Sequence, residues 1–217
     1  MRGVLPVALA ALALLVGCGG DGDDESGGNG GGGGDACEQM DAPDRRQPDV
    51  LEPPTGTLEP GATYDLVFDT SCGTFTVRLN PRLAPEATAS LVALAKEGFF
   101  EDTIFHRIVR DFVIQGGDPT ATGTGGPGYT TVDAPPPSAR YTKGVVAMAK
   151  ALNEPAGAGG SQFFVVTAED AGLDPEYAIV GEVSEGLEVV ERIGLLGDEE
   201  QRPTRAVVIN EVTVTES

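Results

Sequence analysis

The chain has 217 residues, 40% of them hydrophobic, which is enough apolar material for one sizeable core and too much for a wholly disordered polymer. Its 14 Lys and Arg against 34 Asp and Glu leave a formal charge of −20; such a field repels phosphate backbones, so nucleic acid is not expected as a partner and the acidity reads as a solubilising surface. Three cysteines and one histidine supply neither a zinc knuckle, nor a disulfide-dense scaffold, nor a histidine metal site, and no metal or cofactor is expected.

In chain order, Met1-Arg2 supplies a positive charge, residues 3–16 are an almost unbroken apolar run and small residues follow, the three-part layout of an export signal over residues 1–17. The run is short for a bilayer span. It ends in Leu15-Val16-Gly17-Cys18, a tetrapeptide that resembles the lipobox of bacterial lipoproteins. That resemblance implies that Cys18 is lipidated and becomes the first mature residue, holding the protein outside the cytoplasm, in the cell envelope, by a lipid anchor alone. Ordinary secretion with cleavage nearby is the alternative.

Residues 19–34 carry no hydrophobic side chain, as a flexible tether requires. A Gly- and acid-rich tether and extension is expected over 18–62 and a folded domain over 63–217. Outside the cytoplasm Cys37 and Cys72 can oxidise to a pair, closing a loop that stabilises by about 3–4 kcal/mol in the chain-entropy model; two thiols are the alternative.

From Tyr64 the pattern becomes short alternating runs. Residues 64–68 and 74–79 flank Asp69–Gly73 and read as a hairpin. Pro81 stops the second strand, and Pro85-Glu86 opens an amphipathic helix with Ala87, Leu91, Leu94 and Ala95 on one face, ended by Gly98. Further strands are expected at 104–109, 112–115, 144–149, 162–167, 178–183 and 207–214, with a second helix at 187–193. Eight strands and two helices favour a mainly β fold, a closed antiparallel barrel capped by two helices, over a parallel α/β sheet whose crossovers demand more helix.

Gly123-Thr124-Gly125-Gly126-Pro127-Gly128 formally satisfies a dinucleotide-binding pattern, but prolines interrupt it and no helix follows to present its N-terminus to phosphate, so it reads as a surface loop. Asp102, His106, Asp111 and Asp118 do not share a face reliably enough for a metal cluster. His106 reads as structural. No serine elbow or Cys/His pair suggests a nucleophile.

The informative segments are Phe105-His106-Arg107-Ile108-Val109-Arg110-Asp111-Phe112-Val113-Ile114-Gln115-Gly116-Gly117-Asp118 and Gly160-Ser161-Gln162-Phe163-Phe164, with Met148-Ala149 between them. Together they resemble the signature of the cyclophilin family of peptidyl-prolyl cis/trans isomerases, over roughly Tyr64 to Val214. The resemblance implies an eight-stranded barrel closed by two helices, and Arg107, Phe112 and Gln115 as the catalytic set. It further implies a proline pocket from Phe112, Val113, Phe164 and Leu173, rimmed by Tyr177. Ala149, Lys150 and Ala151 match the stretch that holds the peptide preceding proline.

The chemistry needs these parts. Rotation about an Xaa-Pro bond meets a barrier of about 18–20 kcal/mol because the amide loses resonance, and unaided exchange takes about 10–100 s. Millisecond turnover requires the removal of about 5–6 kcal/mol. An apolar pocket for the ring and a fixed donor aimed at the imide nitrogen suffice, since that lone pair becomes available only as conjugation breaks. Arg107 suits the role because its planar guanidinium does not deprotonate.

Several positions depart from the family pattern. Gly172-Leu173 stands where many members carry Trp-Leu, and the chain has no Trp, so cyclosporin affinity is expected to be weak. Tyr177 replaces a usual His, Lys150 a common Asn, and residues 152–159 form a variable loop. The expected protein is a monomeric, cofactor-free isomerase acting on proline bonds in exported, incompletely folded polypeptides. The alternative is a non-catalytic proline-peptide-binding holdase or scaffold of the cell envelope.

Overall fold

The computed structural model describes residues 37–47 and 50–217. Residues 1–36, and with them the export signal, Cys18 and most of the tether, lie outside the described residues. Eleven strands and two helices follow in order: β1 Tyr64–Thr70, β2 Gly73–Leu79, α1 Pro85–Lys96, β3 Thr103–Ile104, β4 Arg107–Val109, β5 Val113–Gly116, β6 Thr131–Val132, β7 Val145–Met148, β8 Ala158–Gly159, β9 Phe163–Val166, β10 Ile179–Glu185, α2 Leu187–Gly194 and β11 Val208–Glu216.

The hairpin forms where alternation places it. Tyr64, Leu66 and Phe68 of β1 and Phe75, Val77 and Leu79 of β2 are buried on one face, as period-two side chains must be when one side of a sheet meets a core. Phe68 pairs with Phe75 across the strands, and their rings stack with centroids 4.8 Å apart. Helix α1 starts at Pro85 without a side-chain cap of its own. Instead Asp133, distant in sequence, accepts the Ala87 N–H at 2.7 Å and satisfies one of the orphan donors at the helix start.

Nine strands make one antiparallel sheet in the order β3-β11-β1-β2-β10-β7-β9-β5-β4, and β6 pairs with β8 in a separate two-stranded ribbon. The sheet curls, because its end strands β3 and β4 are separated in the chain by Phe105 and His106 alone. This corrects the expectation of a closed eight-stranded barrel: β3 pairs with β11 and β4 with β5, and no ladder joins the two ends. Residues 104–109 read as a single strand by alternation. The run divides where Phe105 turns fully into the core and gives its N–H to Val207.

Among the described residues the segment before β1, from Cys37 onward, belongs to the same compact unit as the strands. Leu51, Leu58 and Ala62 pack on the main core. Cys37 is buried and bonded to Cys72, which sits in the turn between β1 and β2. Among the described residues no helix is long and apolar enough to cross a membrane.

Candidate functional site

The site follows from strand register. Arg107 of β4 lies opposite Gln115 of β5, Gln115 opposite Phe164 of β9, and Phe164 opposite Ala147 of β7. Side chains in one cross-strand row share a face, so four strands deliver a guanidinium, an amide and an aromatic ring side by side. The flanking residues Ile108, Ile114, Phe163 and Val165 join the main core. Val113, Phe164 and Ala147 join a second cluster with Tyr141 and Val166, against which Phe112, Leu173 and Tyr177 pack. Adjacent Phe163 and Phe164 therefore serve opposite faces.

A cavity of about 210 Å³ opens on this row. Arg107, Phe112, Val113 and Gln115 line it from β4, β5 and their connecting turn, and Phe164, Leu173 and Tyr177 from across it. Ala149 and Lys150 complete the lining. Ala151 is set apart: it lines a second cavity of about 640 Å³, which Gln115, Ala149 and Lys150 share with the first.

The guanidinium is held from two sides. Its Nε donates to Oε1 of Gln201 at 2.9 Å and its Nη1 to Oε1 of Gln115 at 3.4 Å. Gln115 donates in turn to Gln162 at 3.0 Å, and Gln162 to the Gly125 carbonyl at 2.9 Å. Burial lowers Arg107 from its ordinary value, with Tyr177 acting in the opposite sense, yet a guanidinium stays cationic at neutral pH. Among the described residues the Arg107 guanidinium bonds only through Nε and Nη1.

The apolar wall is braced as well. The Phe164 ring stands edge-on to Tyr177 with centroids 5.4 Å apart, an arrangement aromatic quadrupoles favour. Tyr141, fully buried, donates its hydroxyl to the Tyr177 carbonyl at 2.7 Å and accepts the Tyr177 N–H at 3.0 Å, which fixes the rim by its backbone. Lys150 has a side chain only 3% exposed. Its ammonium pairs with Glu176 at 2.8 Å, donates to the Glu154 carbonyl at 3.2 Å and lies 5.7 Å from the Tyr177 ring centre.

Gln201, Gln162 and Tyr141 are the supporting residues to which sequence reasoning gave no role. Gln162 lies within the Gly160-Ser161-Gln162-Phe163-Phe164 motif, which is its signal in the sequence. Gln201 and Tyr141 act through contacts between distant segments, and neither sits in a pattern of its own.

The Gly-rich loop is organised by an anion rather than built for one. Fully buried Asp118 accepts from Thr120 N, Thr120 Oγ1, Thr122 N, Gly123 N and Gly125 N at 2.7–3.2 Å. Burial raises its carboxyl, but the bonds from Thr120, Gly125 and Gly123 outweigh that and hold it below the ordinary value. Among the described residues no group of three or more His, Cys, Asp or Glu is placed to hold a metal ion. Among the described residues His106 has no hydrogen-bond partner on either ring nitrogen.

Comparison with known proteins identifies the family. The family model described as cyclophilin type peptidyl-prolyl cis-trans isomerase/CLD matches residues 65–214. Peptidyl-prolyl cis-trans isomerase-like 1 of Neurospora crassa is 40% identical over 150 residues, covering 67% of this chain and 90% of that protein. Its namesake from Aspergillus fumigatus is 40% identical over 157 residues, covering 70% and 96%. The crystal structure of a Cryptosporidium parvum cyclophilin type isomerase, determined in the presence of the dipeptide Ala-Pro, superposes with a TM-score of 0.65 at 30% identity, covering 70% of this chain and 99% of that one. With the curled sheet, the two helices and the Arg107–Gln115–Phe164 row in place, the chain belongs to the cyclophilin-type peptidyl-prolyl cis-trans isomerases.

Proposed function

We propose that the protein accelerates rotation about Xaa-Pro bonds by noncovalent stabilisation of the twisted amide. The observation that carries the reading is the placement of Arg107, braced by Gln115 and Gln201, on the edge of a cavity walled by Phe112, Phe164 and Leu173. The proline ring seats against the aromatic wall. As the C–N bond twists, conjugation is lost and the nitrogen lone pair becomes an acceptor for the guanidinium, an interaction absent from either planar state. No covalent bond to substrate forms or breaks. Gln115 keeps the donor aimed and Ala149 and Lys150 steer the chain preceding proline.

The ligand class is a flexible or unfolded proline-containing polypeptide, in keeping with the Ala-Pro dipeptide used with the Cryptosporidium protein. NMR exchange spectroscopy on a blocked Xaa-Pro peptide tests the reading: substoichiometric protein should produce cis/trans exchange cross-peaks absent from peptide alone. Exchange no faster than the uncatalysed rate contradicts it.

The setting we propose is the outer side of a bacterial cytoplasmic membrane or its envelope, with Cys18 lipidated and the acid- and glycine-rich stretch as tether. Support comes from the Leu15-Val16-Gly17-Cys18 sequence behind an apolar run and from the Cys37–Cys72 bond, a linkage that oxidising compartments favour. Mass spectrometry of the mature N-terminus should find a diacylglyceryl-modified Cys18; an unmodified N-terminus elsewhere contradicts the anchor.

A further inference from the structure

Two positions at which the site departs from the family pattern touch each other. Lys150, in place of a common Asn, sets its ammonium 5.7 Å from the ring centre of Tyr177, which replaces a usual His. Lys150 follows β7 and Tyr177 precedes β10, strands that pair with each other, so the two residues meet at the proline pocket, which both line. An ammonium is seldom buried without compensation, since its charge must be taken out of water. Here the side chain is almost wholly covered, and its three protons face three protein oxygens: Oε2 of Glu176 at 2.8 Å, the Glu154 carbonyl at 3.2 Å and the Ala151 carbonyl at 3.4 Å.

These partners lie on two loops. Ala151 and Glu154 bound a turn closed on itself, in which Glu154 Oε2 accepts the Ala151 N–H at 2.6 Å. Glu176 is the residue before Tyr177, and its carbonyl accepts the Gly157 N–H at 2.7 Å. One ammonium therefore ties the 151–154 turn to the rim of the pocket. Tyr141 fixes the Tyr177 backbone, but the Tyr177 ring is a separate degree of freedom, and a half-buried ring can change rotamer toward solvent. Phe164 and Tyr141 meet it edge-on, with centroids 5.4 and 5.9 Å away. The ammonium adds a third contact that favours one ring position, because a cation is drawn to an aromatic face.

We infer that Lys150 is a positioning residue whose ammonium, neutralised by Glu176, holds the Tyr177 ring at the rim of the proline pocket. This role rests on the isomerase reading, which makes the cavity the proline site, and goes beyond it in giving the Lys150 side chain no contact with substrate. A rim held in this way grips the proline ring alike in both planar states and in the twisted one. Its loss therefore falls on KM and leaves kcat in place.

The test is a double-mutant cycle: steady-state isomerisation of one Xaa-Pro tetrapeptide by the full chain, Lys150→Met, Tyr177→Leu and the double variant, each shown to be folded by its urea curve. Methionine keeps most of the stem and removes the charge. Expected are a KM about three- to tenfold higher in Lys150→Met with kcat unchanged, and a change of less than about twofold when the same substitution is made in the Tyr177→Leu background. A KM effect of equal size in both backgrounds means that the ammonium acts on substrate directly and overturns the inference, as does an unchanged KM in Lys150→Met. Glu176→Ala, at a half-exposed carboxylate, supplies a second reading that does not depend on the folding of Lys150→Met. It leaves the ammonium without its counter-charge and free to turn to solvent, so KM should rise about threefold; an unchanged KM overturns the inference. Wild type that fails to accelerate exchange overturns the isomerase reading itself, and the role of Lys150 with it.

Discussion

Gln201 reaches Arg107 from 94 residues away in sequence and accepts its Nε proton at 2.9 Å. With Gln115 on the other side, the guanidinium is caught between two amides, one from the neighbouring strand and one from the loop before β11. That loop is fixed in turn, because the Gln201 carbonyl accepts the Ile108 N–H at 2.9 Å. The guanidinium is therefore oriented within the free protein, which is what the proposed stabilisation of a transition state requires.

Under the proposed mechanism Gln201 is a positioning residue, and Gln201→Asn isolates its contribution. Its φ of 64° is a left-handed conformation that asparagine tolerates well, while the shorter side chain no longer reaches Nε. One neutral-acceptor hydrogen bond to a charged donor is worth about 1.5–3 kcal/mol when removed, with Gln115 compensating in part. The expected outcome is a fall in kcat of about three- to thirtyfold with little change in KM, whereas a merely structural role would alter neither. Steady-state kinetics on a tetrapeptide substrate distinguish these.

Asp118 is the keystone of the Gly-rich loop that Gln162 reaches through the Gly125 carbonyl. Asp118→Asn exchanges one acceptor oxygen for an amide donor facing N–H groups, and should destabilise by about 2–4 kcal/mol. Gly125→Ala should act similarly, because a Cβ there runs into Asp118 Oδ1. Urea midpoints of the two variants check both.

His106 gives the fold a pH dependence of definite sign. Burial lowers its pKa, with Arg107 adding to the effect and Asp118 opposing it. Below about pH 6.5 the unfolded chain protonates its histidine while the folded chain does not, so the unfolded state binds more protons and stability falls as pH drops through that window. Above it both states are neutral and this contribution is fully present. Urea denaturation between pH 7.5 and 5.5 should show a decline that His106→Gln reduces; an equal decline in both proteins contradicts the assignment.

The disulfide closes a sequence separation of 35 residues, and its removal should lower stability by about 3–4 kcal/mol. Paired urea curves of the oxidised protein and of Cys72→Ser measure this, provided unfolding stays two-state in each.

Where alternation decides a side chain's face, the sequence is readable. Arg107, Val113, Gln115 and Phe164 lie on the strands expected, and hairpin and helices fall within a few residues of their expected bounds. The hairpin turn is tighter than Asp69–Gly73, since Thr70 pairs with Gly73. The division of the 104–109 run depends on which partner each half finds, a property of the fold rather than of the segment. Ribbon β6–β8, two residues a side, is too short to leave a periodic signal. Gln201 and Tyr141 make their contacts across long separations, and only folding brings them to the site.

The central claim is that Arg107 lowers the barrier to rotation about the imide bond. Catalytic efficiency of wild type, Arg107→Lys and Arg107→Ala on one Xaa-Pro peptide addresses it most directly, with Ala-Pro binding followed in parallel. Loss of a preorganised donor should reduce kcat/KM by about 10² to 10³ in Arg107→Ala, and by nearly as much in Arg107→Lys, whose point charge cannot span Gln115 and Gln201. Arg107→Ala turning over as fast as wild type, with binding intact, would contradict the account.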